Sequence, residues 1–211
     1  VPGDSERSDG FGEAVALVGN TAIVGAPQNT HGGVKFAGAV YIFEHQGDRW
    51  VERAKLTADD PGKADRFGNA VAFGADTIVI GAPLTDTDDG RDAGSAYIFG
   101  RDGDKWQQQA KVFGKGARKG DNFGSGVATN GNIAIIGAPI RDEDAFASGA
   151  AYAFARVDGV WEPKEKVVPK NGAKDLHFGF SLAVSENTVV VASHDKTKCD
   201  DSAVQQCADK G

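Results

Sequence analysis

Apolar residues in this chain fall in short runs broken by glycine, asparagine and aspartate, and the runs return in a fixed order. In one unit, Phe67-Gly68-Asn69-Ala70-Val71-Ala72-Phe73 predicts a first strand that leads into a tight turn at Gly74-Ala75-Asp76. Thr77-Ile78-Val79-Ile80 is a continuous apolar run, the pattern of a strand buried on both faces. Ser95-Ala96-Tyr97-Ile98-Phe99 predicts a third strand, closed by a Gly-Asp turn at Gly103-Asp104. The fourth, Trp106 to Val112, carries Gln107, Gln108 and Gln109, as expected of an outer edge. Its counterpart one unit later contains Pro163, which an edge strand accommodates most easily.

The period behind these runs is explicit. Phe-Gly recurs at Phe11, Phe67, Phe123 and Phe178, in steps of 56, 56 and 55 residues. Gly-Ala-Pro follows 14 residues after the first three, at Gly25, Gly81 and Gly137, whereas the fourth copy reads Ala192-Ser193-His194. Gly-x-x-Tyr comes next at Gly38/Tyr41, Gly94/Tyr97 and Gly149/Tyr152, and a Trp opens each outer strand at Trp50, Trp106 and Trp161. Four-stranded antiparallel units at this spacing predict an all-β propeller, with approximate blades at 8–57, 64–113, 120–168 and a partial 175–195, then a Cys-containing tail at 196–211. Ala14, Ala70, Gly126 and Ser181 are expected on the crowded innermost strands, and the four Phe residues as wedges between sheets.

Composition narrows the function classes. Glycine reaches 29 of 211 residues without a triplet period, as many turns require. The formal charge of −7 and the lack of any Lys/Arg run beyond two residues argue against nucleic acid. No apolar run approaches the length of a membrane span. The chain starts at Val1 and contains no Met, so the reading expects an initiator or signal segment to have been removed. Catalytic signatures such as G-x-S-x-G, H-E-x-x-H or a phosphate loop are missing, so no enzymatic activity is expected.

Phe-Gly, Gly-Ala-Pro, Gly-x-x-Tyr and Trp in this order resemble the FG-GAP repeat, the blade of the integrin alpha-subunit propeller and of many bacterial surface proteins. The match runs over about residues 8 to 195 and is similar to the short bacterial variant, with FGNAVAFGADTIVIGAP as a typical stretch. The resemblance implies an extracellular or cell-surface adhesion or assembly module that binds a protein or glycan. A carbohydrate-binding lectin, or a non-catalytic domain of a larger secreted enzyme, is the alternative. Integrin-like repeats hold a calcium loop between FG and GAP; here only Val18-Gly19-Asn20, Gly74-Ala75-Asp76, Asn130-Gly131-Asn132 or Ser185-Glu186-Asn187 fills that turn. Those turns cannot supply six to eight oxygens, so the family's metal sites do not carry over and no cofactor is expected.

Ligand-face residues are expected in the long loops after GAP. Asp86, Asp88, Asp89 and Asp92 surround Gly90 in the densest acidic cluster, where Ca²⁺ is the lesser alternative to a solvated turn. Arg141, Asp142 and Asp144 occupy the next loop. Asp9, Asp65, Asp121 and Asp175 shortly precede each Phe-Gly and are read as turn caps. His177 and His194, with Asp175 and Asp195 near them, offer a minor transition-metal alternative. Cys199 and Cys207, in a chain that resembles secreted proteins, are expected to form a disulfide, a buried free pair being the alternative.

Three blades and a two-stranded fourth leave two faults. The edge along Val189-Val190-Val191 is expected to be open, and Val15, Leu17 and Ile23 to lack a packing partner. Further repeats or copies of the chain are expected to complete the array.

Overall fold

The computed structural model describes residues 2–4, 6, 8–103, 105–143, 145–186 and 188–194, and the backbone of 204–208. Three sheets have four antiparallel strands each in simple meander order. Blade 1 comprises β1 (Val15–Val18), β2 (Thr21–Ala26), β3 (Ala39–Gln46) and β4 (Arg49–Leu56). Blade 2 comprises β5 (Ala70–Gly74), β6 (Thr77–Ala82), β7 (Ser95–Asp102) and β8 (Lys105–Val112). Blade 3 comprises β9 (Gly126–Thr129), β10 (Ile133–Ala138), β11 (Ala150–Val157) and β12 (Val160–Val167). The fourth sheet begins with the expected hairpin, β13 (Ser181–Ser185) and β14 (Thr188–Ala192). Innermost strands stand side by side: β1 meets β5, β5 meets β9, and β9 meets β13. Among the described residues no helix is long and apolar enough to cross a membrane.

Two expectations about the open ends need correction. The edge of β14 is not open, because β15 (Val204–Ala208) pairs with it, Val189 opposite Cys207 and Val191 opposite Gln205. The tail thus supplies a third strand without a Gly-x-x-Tyr motif, because backbone pairing demands no particular side chain. Ile23 does not lack a partner either, being fully buried against blade 2. Its register explains the difference: Val15 faces Val24 and Leu17 faces Ala22, whereas Ile23 pairs with Ala16 and points to the other side of the sheet. The disulfide lies outside the described residues, since Cys199 and the side chain of Cys207 are not among them.

The Phe-Gly step is a joint and not the start of a strand. β5 begins at Ala70, and Phe67 makes a parallel bridge to Gly38 of the preceding blade. Phe123 bridges Gly94 and Phe178 bridges Gly149 in the same way. Beside each bridge, the glycine of Gly-Ala-Pro abuts a backbone carbonyl of the next blade: Gly25 on Gly68, Gly81 on Gly124 and Gly137 on Gly179. A Cβ at any of the three would collide with that carbonyl oxygen. Of the four positions expected to be crowded, Gly126 also abuts the next blade, its Cβ position lying 2.9 Å from the Phe180 carbonyl.

The rings of Phe67 and Phe123 then pack on the third strand of their own blades. Phe67 lies edge-on to Tyr97 at 5.2 Å and Phe99 at 6.0 Å, and Phe123 lies edge-on to Tyr152 at 5.4 Å and Phe154 at 6.3 Å. Phe67, Phe123 and Phe178 are wedges between sheets, whereas Phe11 packs within blade 1 alone. One core cluster joins Ile23, Val40 and Ile42 of blade 1 to Phe67, Ile78 and Tyr97 of blade 2. A second joins Val79 and Ile98 to Phe123, Ile136 and Trp161, and a third joins Ile135 to Phe178 and Val191. Stability in such an array comes from neighbour-to-neighbour interfaces.

Candidate functional site

The acids of the loops after GAP turn out to hold the loops together. Asp86 accepts the N–H of Asp92 through Oδ1 at 2.9 Å, and Asp142 accepts that of Ala147 at 2.7 Å. Asp92 and Ala147 occupy one repeat position with left-handed backbone, φ 54° and 49°, so the carboxylate pins a turn that is disfavoured for both. Asp88 and Asp89 are exposed, and Asp92 pairs with Arg91 at 3.3 Å. Asp144 lies outside the described residues. Among the described residues no three His, Cys, Asp or Glu side chains converge as metal ligands. His177 Nδ1 sits 3.2 Å from the carbonyl of His194, whose ring stacks obliquely on Phe180 at 5.4 Å.

The acids before Phe-Gly cap turns in three blades. Asp9, Asp65 and Asp121 are buried and accept the N–H three residues back, from Glu6, Gly62 and Arg118, at 2.8–2.9 Å. Asp175 does not belong with them. It stands one residue earlier relative to its Phe, and Leu176 takes the capping position.

A repeated network went unread in the sequence. Tyr97 donates to Asp60 at 3.2 Å, and Lys111 binds the same carboxylate at 2.6 Å while lying 5.1 Å from the Tyr97 ring. Tyr41, Lys55 and Asp4 repeat the arrangement in blade 1 at 3.0 and 2.6 Å. In blade 3 the acid is replaced by Gly116, and the loop after GAP supplies substitutes. Arg141, a candidate ligand-face residue, is instead buried, donating to Asp121 at 2.6 Å and to the Gly116 carbonyl at 2.8 Å, and pairing with Glu143. Glu143 also binds Lys166 at 2.8 Å. Burial pushes Glu143 up, but hydrogen bonds from Lys166 and Arg141 outweigh it and hold the carboxyl below its ordinary range. Burial pushes Asp121 up despite the Arg118 N–H and Arg141.

That exchange leaves the buried Tyr152 hydroxyl without a hydrogen-bond partner, and burial raises its pKa to about 12. Tyr152→Phe is expected to leave stability unchanged or raise it by up to ~1 kcal/mol, whereas Tyr97→Phe loses about 1 kcal/mol with its bond to Asp60. The folded pKa lies above the unfolded value of 10.0, so Tyr152 costs nothing through ionisation below pH 10 and increasingly opposes folding as pH rises from 10 to about 12. Urea titrations of both variants from pH 7 to 11.5 check the ranking. The alkaline loss must shrink in Tyr152→Phe.

Among the described residues, the near side of blade 1 stands uncovered where its counterparts in later blades are packed. Val15 is 69% exposed, Leu17 64% and Trp50 47%. Their repeat equivalents Val71, Phe73 and Trp106 pack against the blade 1–2 core, and Val127 and Trp161 against the blade 2–3 core. Phe11 packs only within its own blade, at 5.7 Å from Tyr41 and 6.1 Å from Phe43.

Comparison with known proteins agrees with this geometry. The chain is similar to Sqt1 of Saccharomyces cerevisiae, with a TM-score of 0.53 at 10% identity over 89% of this chain and 44% of that one. At that identity the likeness concerns the fold alone, and the chain spans less than half of that protein's length. No curated protein matches. The model of the FG-GAP repeat matches at residues 1–43, 50–99 and 106–154. FG-GAP repeats suggest protein-binding or adhesion-type modules and are typical of extracellular or surface proteins. With three successive matches over more than half its length, and the joints those motifs build, the chain belongs to the FG-GAP repeat family.

Proposed function

We propose that this chain is a non-catalytic adhesion and assembly module of an extracellular or cell-surface protein, and that the near face of blade 1 receives a further FG-GAP blade. The exposure of Val15, Leu17 and Trp50 carries the reading, because the same repeat positions are packed at both later joints. Contiguous apolar surface of this kind marks an interaction site. Its partner is defined by the internal joints: a blade whose far side presents small and apolar residues, as Ala16 and Ile23 do toward blade 2. Blade 4 offers such a side, with Ser181, Ala183 and Ser185 exposed on β13. One copy's blade 4 meeting another's blade 1 is a heterologous contact, which gives rings or filaments according to the rotation. The loops after GAP remain available to a protein ligand on one side of the array.

Capture of the soluble chain by an immobilised copy tests the reading. Wild type is expected to bind saturably. Val15→Asp with Leu17→Lys must weaken capture at least tenfold, and Asp88→Ala with Asp89→Ala must leave it unchanged. Equal capture by the β1 variant would remove this face from the account.

A further inference from the structure

Blade 1 carries the arriving half of a joint, already set. Gly12 has φ 94°, against 91°, 95° and 91° at Gly68, Gly124 and Gly179. Its N–H donates to the Gly25 carbonyl at 2.9 Å, as that of Gly68 does to Gly81 at 3.0 Å and that of Gly124 to Gly137 at 2.9 Å. Only the surroundings differ. A Cβ on Gly68, Gly124 or Gly179 would strike a carbonyl of the preceding blade, from Ala39, Ser95 or Ala150, whereas the same site on Gly12 has no atom within 4 Å. A backbone that already holds its docked conformation loses little freedom on binding.

The receiving half is equally defined, by two glycines of the preceding blade. Gly25, Gly81 and Gly137 leave room for the carbonyls of Gly68, Gly124 and Gly179. Gly38, Gly94 and Gly149, at φ 91°, 88° and 83°, lie so close to the backbone of Phe67, Phe123 and Phe178 that a Cβ would collide with it. Blade 4 lacks both. Ser181 pairs with Ala192, where Ala70 pairs with Gly81 and Gly126 with Gly137. The Ala192 carbonyl accepts the Gly179 N–H at 3.1 Å, the bond that Gly137 makes to Gly124, so the repeat position is the same. No glycine stands between Ala192 and Val204, the stretch in which the second would fall.

We propose that the near face of blade 1 selects a blade with glycine at the Gly-Ala-Pro position, and that Ala192 makes this chain's own blade 4 a weak partner for it. The inference rests on the reading of that face as a joint. The Ala192 methyl takes the space that an incoming Gly12 carbonyl needs, as a methyl on Gly81 would take that of Gly124. A second copy therefore docks on the small residues of β13 without closing the joint. A steric block of this kind separates blades that offer the same apolar contacts. Self-association stays weak, and a blade with both glycines is the tighter partner.

Capture of each soluble chain by an immobilised copy of the same chain tests it, with wild type, Ala192→Gly and Ala192→Val compared and folding checked by circular dichroism. Ala192→Gly is expected to tighten capture by roughly tenfold or more, and Ala192→Val to weaken it by roughly threefold or more. The valine, a good strand residue, provides the readout should the glycine loosen β14. Adding Val15→Asp and Leu17→Lys to Ala192→Gly must remove the gain. Capture unchanged by both Ala192 variants, while the β1 substitutions still weaken it, would overturn the selectivity alone. A gain that survives the β1 substitutions would remove the blade 1 face itself, and no capture by any of the chains would overturn both.

Discussion

Gly81→Ala is expected to destabilise the array by ~3 kcal/mol or more. Ordinarily the added methyl would help, since alanine in place of a glycine with negative φ restricts the unfolded chain. Gly81 has no positive φ, so its backbone gives no reason for glycine. The reason is the Gly124 carbonyl of the next blade, which occupies the space a Cβ would need. That carbonyl cannot retreat, because Phe123 is bridged to Gly94 and its ring is wedged between Tyr152 and Phe154. Gly3→Ala, with no atom within 4 Å of its added methyl, is the control and is expected to change stability by less than ~0.5 kcal/mol. Urea unfolding of the two variants measures the contrast directly.

Phe123→Ala is expected to cost about 3–5 kcal/mol, the range for emptying a buried aromatic site. Phe123 is fully buried at the centre of the cluster joining blades 2 and 3, so its removal leaves a cavity that rigid strands on both sides cannot collapse to fill. Phe11→Ala, at the same repeat position, is expected to cost ~1–2 kcal/mol in the isolated chain, because no blade covers its outer side. The difference between two chemically identical substitutions reads the joint alone. Equal costs would mean that the Phe is a core residue of its own blade and not a wedge.

The repeats were legible because they are local strings: FG, GAP, Gly-x-x-Tyr and Trp each declare themselves within four residues. What the strings do was less so. Gly25 needs to be glycine because of Gly68, 43 positions away, and no local pattern announces a carbonyl arriving from the next unit. Ile23 looked unpartnered because its exposure depends on the register between β1 and β2, which places it opposite Ala16. β15 carries none of the repeat motifs, so nothing local in Val204–Ala208 marks it as a third strand. The loop acids Asp86 and Asp142 resembled ligand residues, yet their carboxylates are engaged by N–H groups five or six residues on, a capping role that composition alone does not distinguish from coordination. By contrast, the Asp-Tyr-Lys network was present as a spacing, since Asp4, Tyr41 and Lys55 return 56 residues later as Asp60, Tyr97 and Lys111.

The proposed joint on the near face of blade 1 requires the chain to associate. Static light scattering on the 211-residue chain, from one to one hundred micromolar, tests it most directly. A weight-average mass that rises with concentration above 22.0 kDa is expected, with a return to 22.0 kDa when Val15→Asp and Leu17→Lys are introduced. A wild-type mass fixed at 22.0 kDa over the whole range, with a single cooperative unfolding transition, would contradict it.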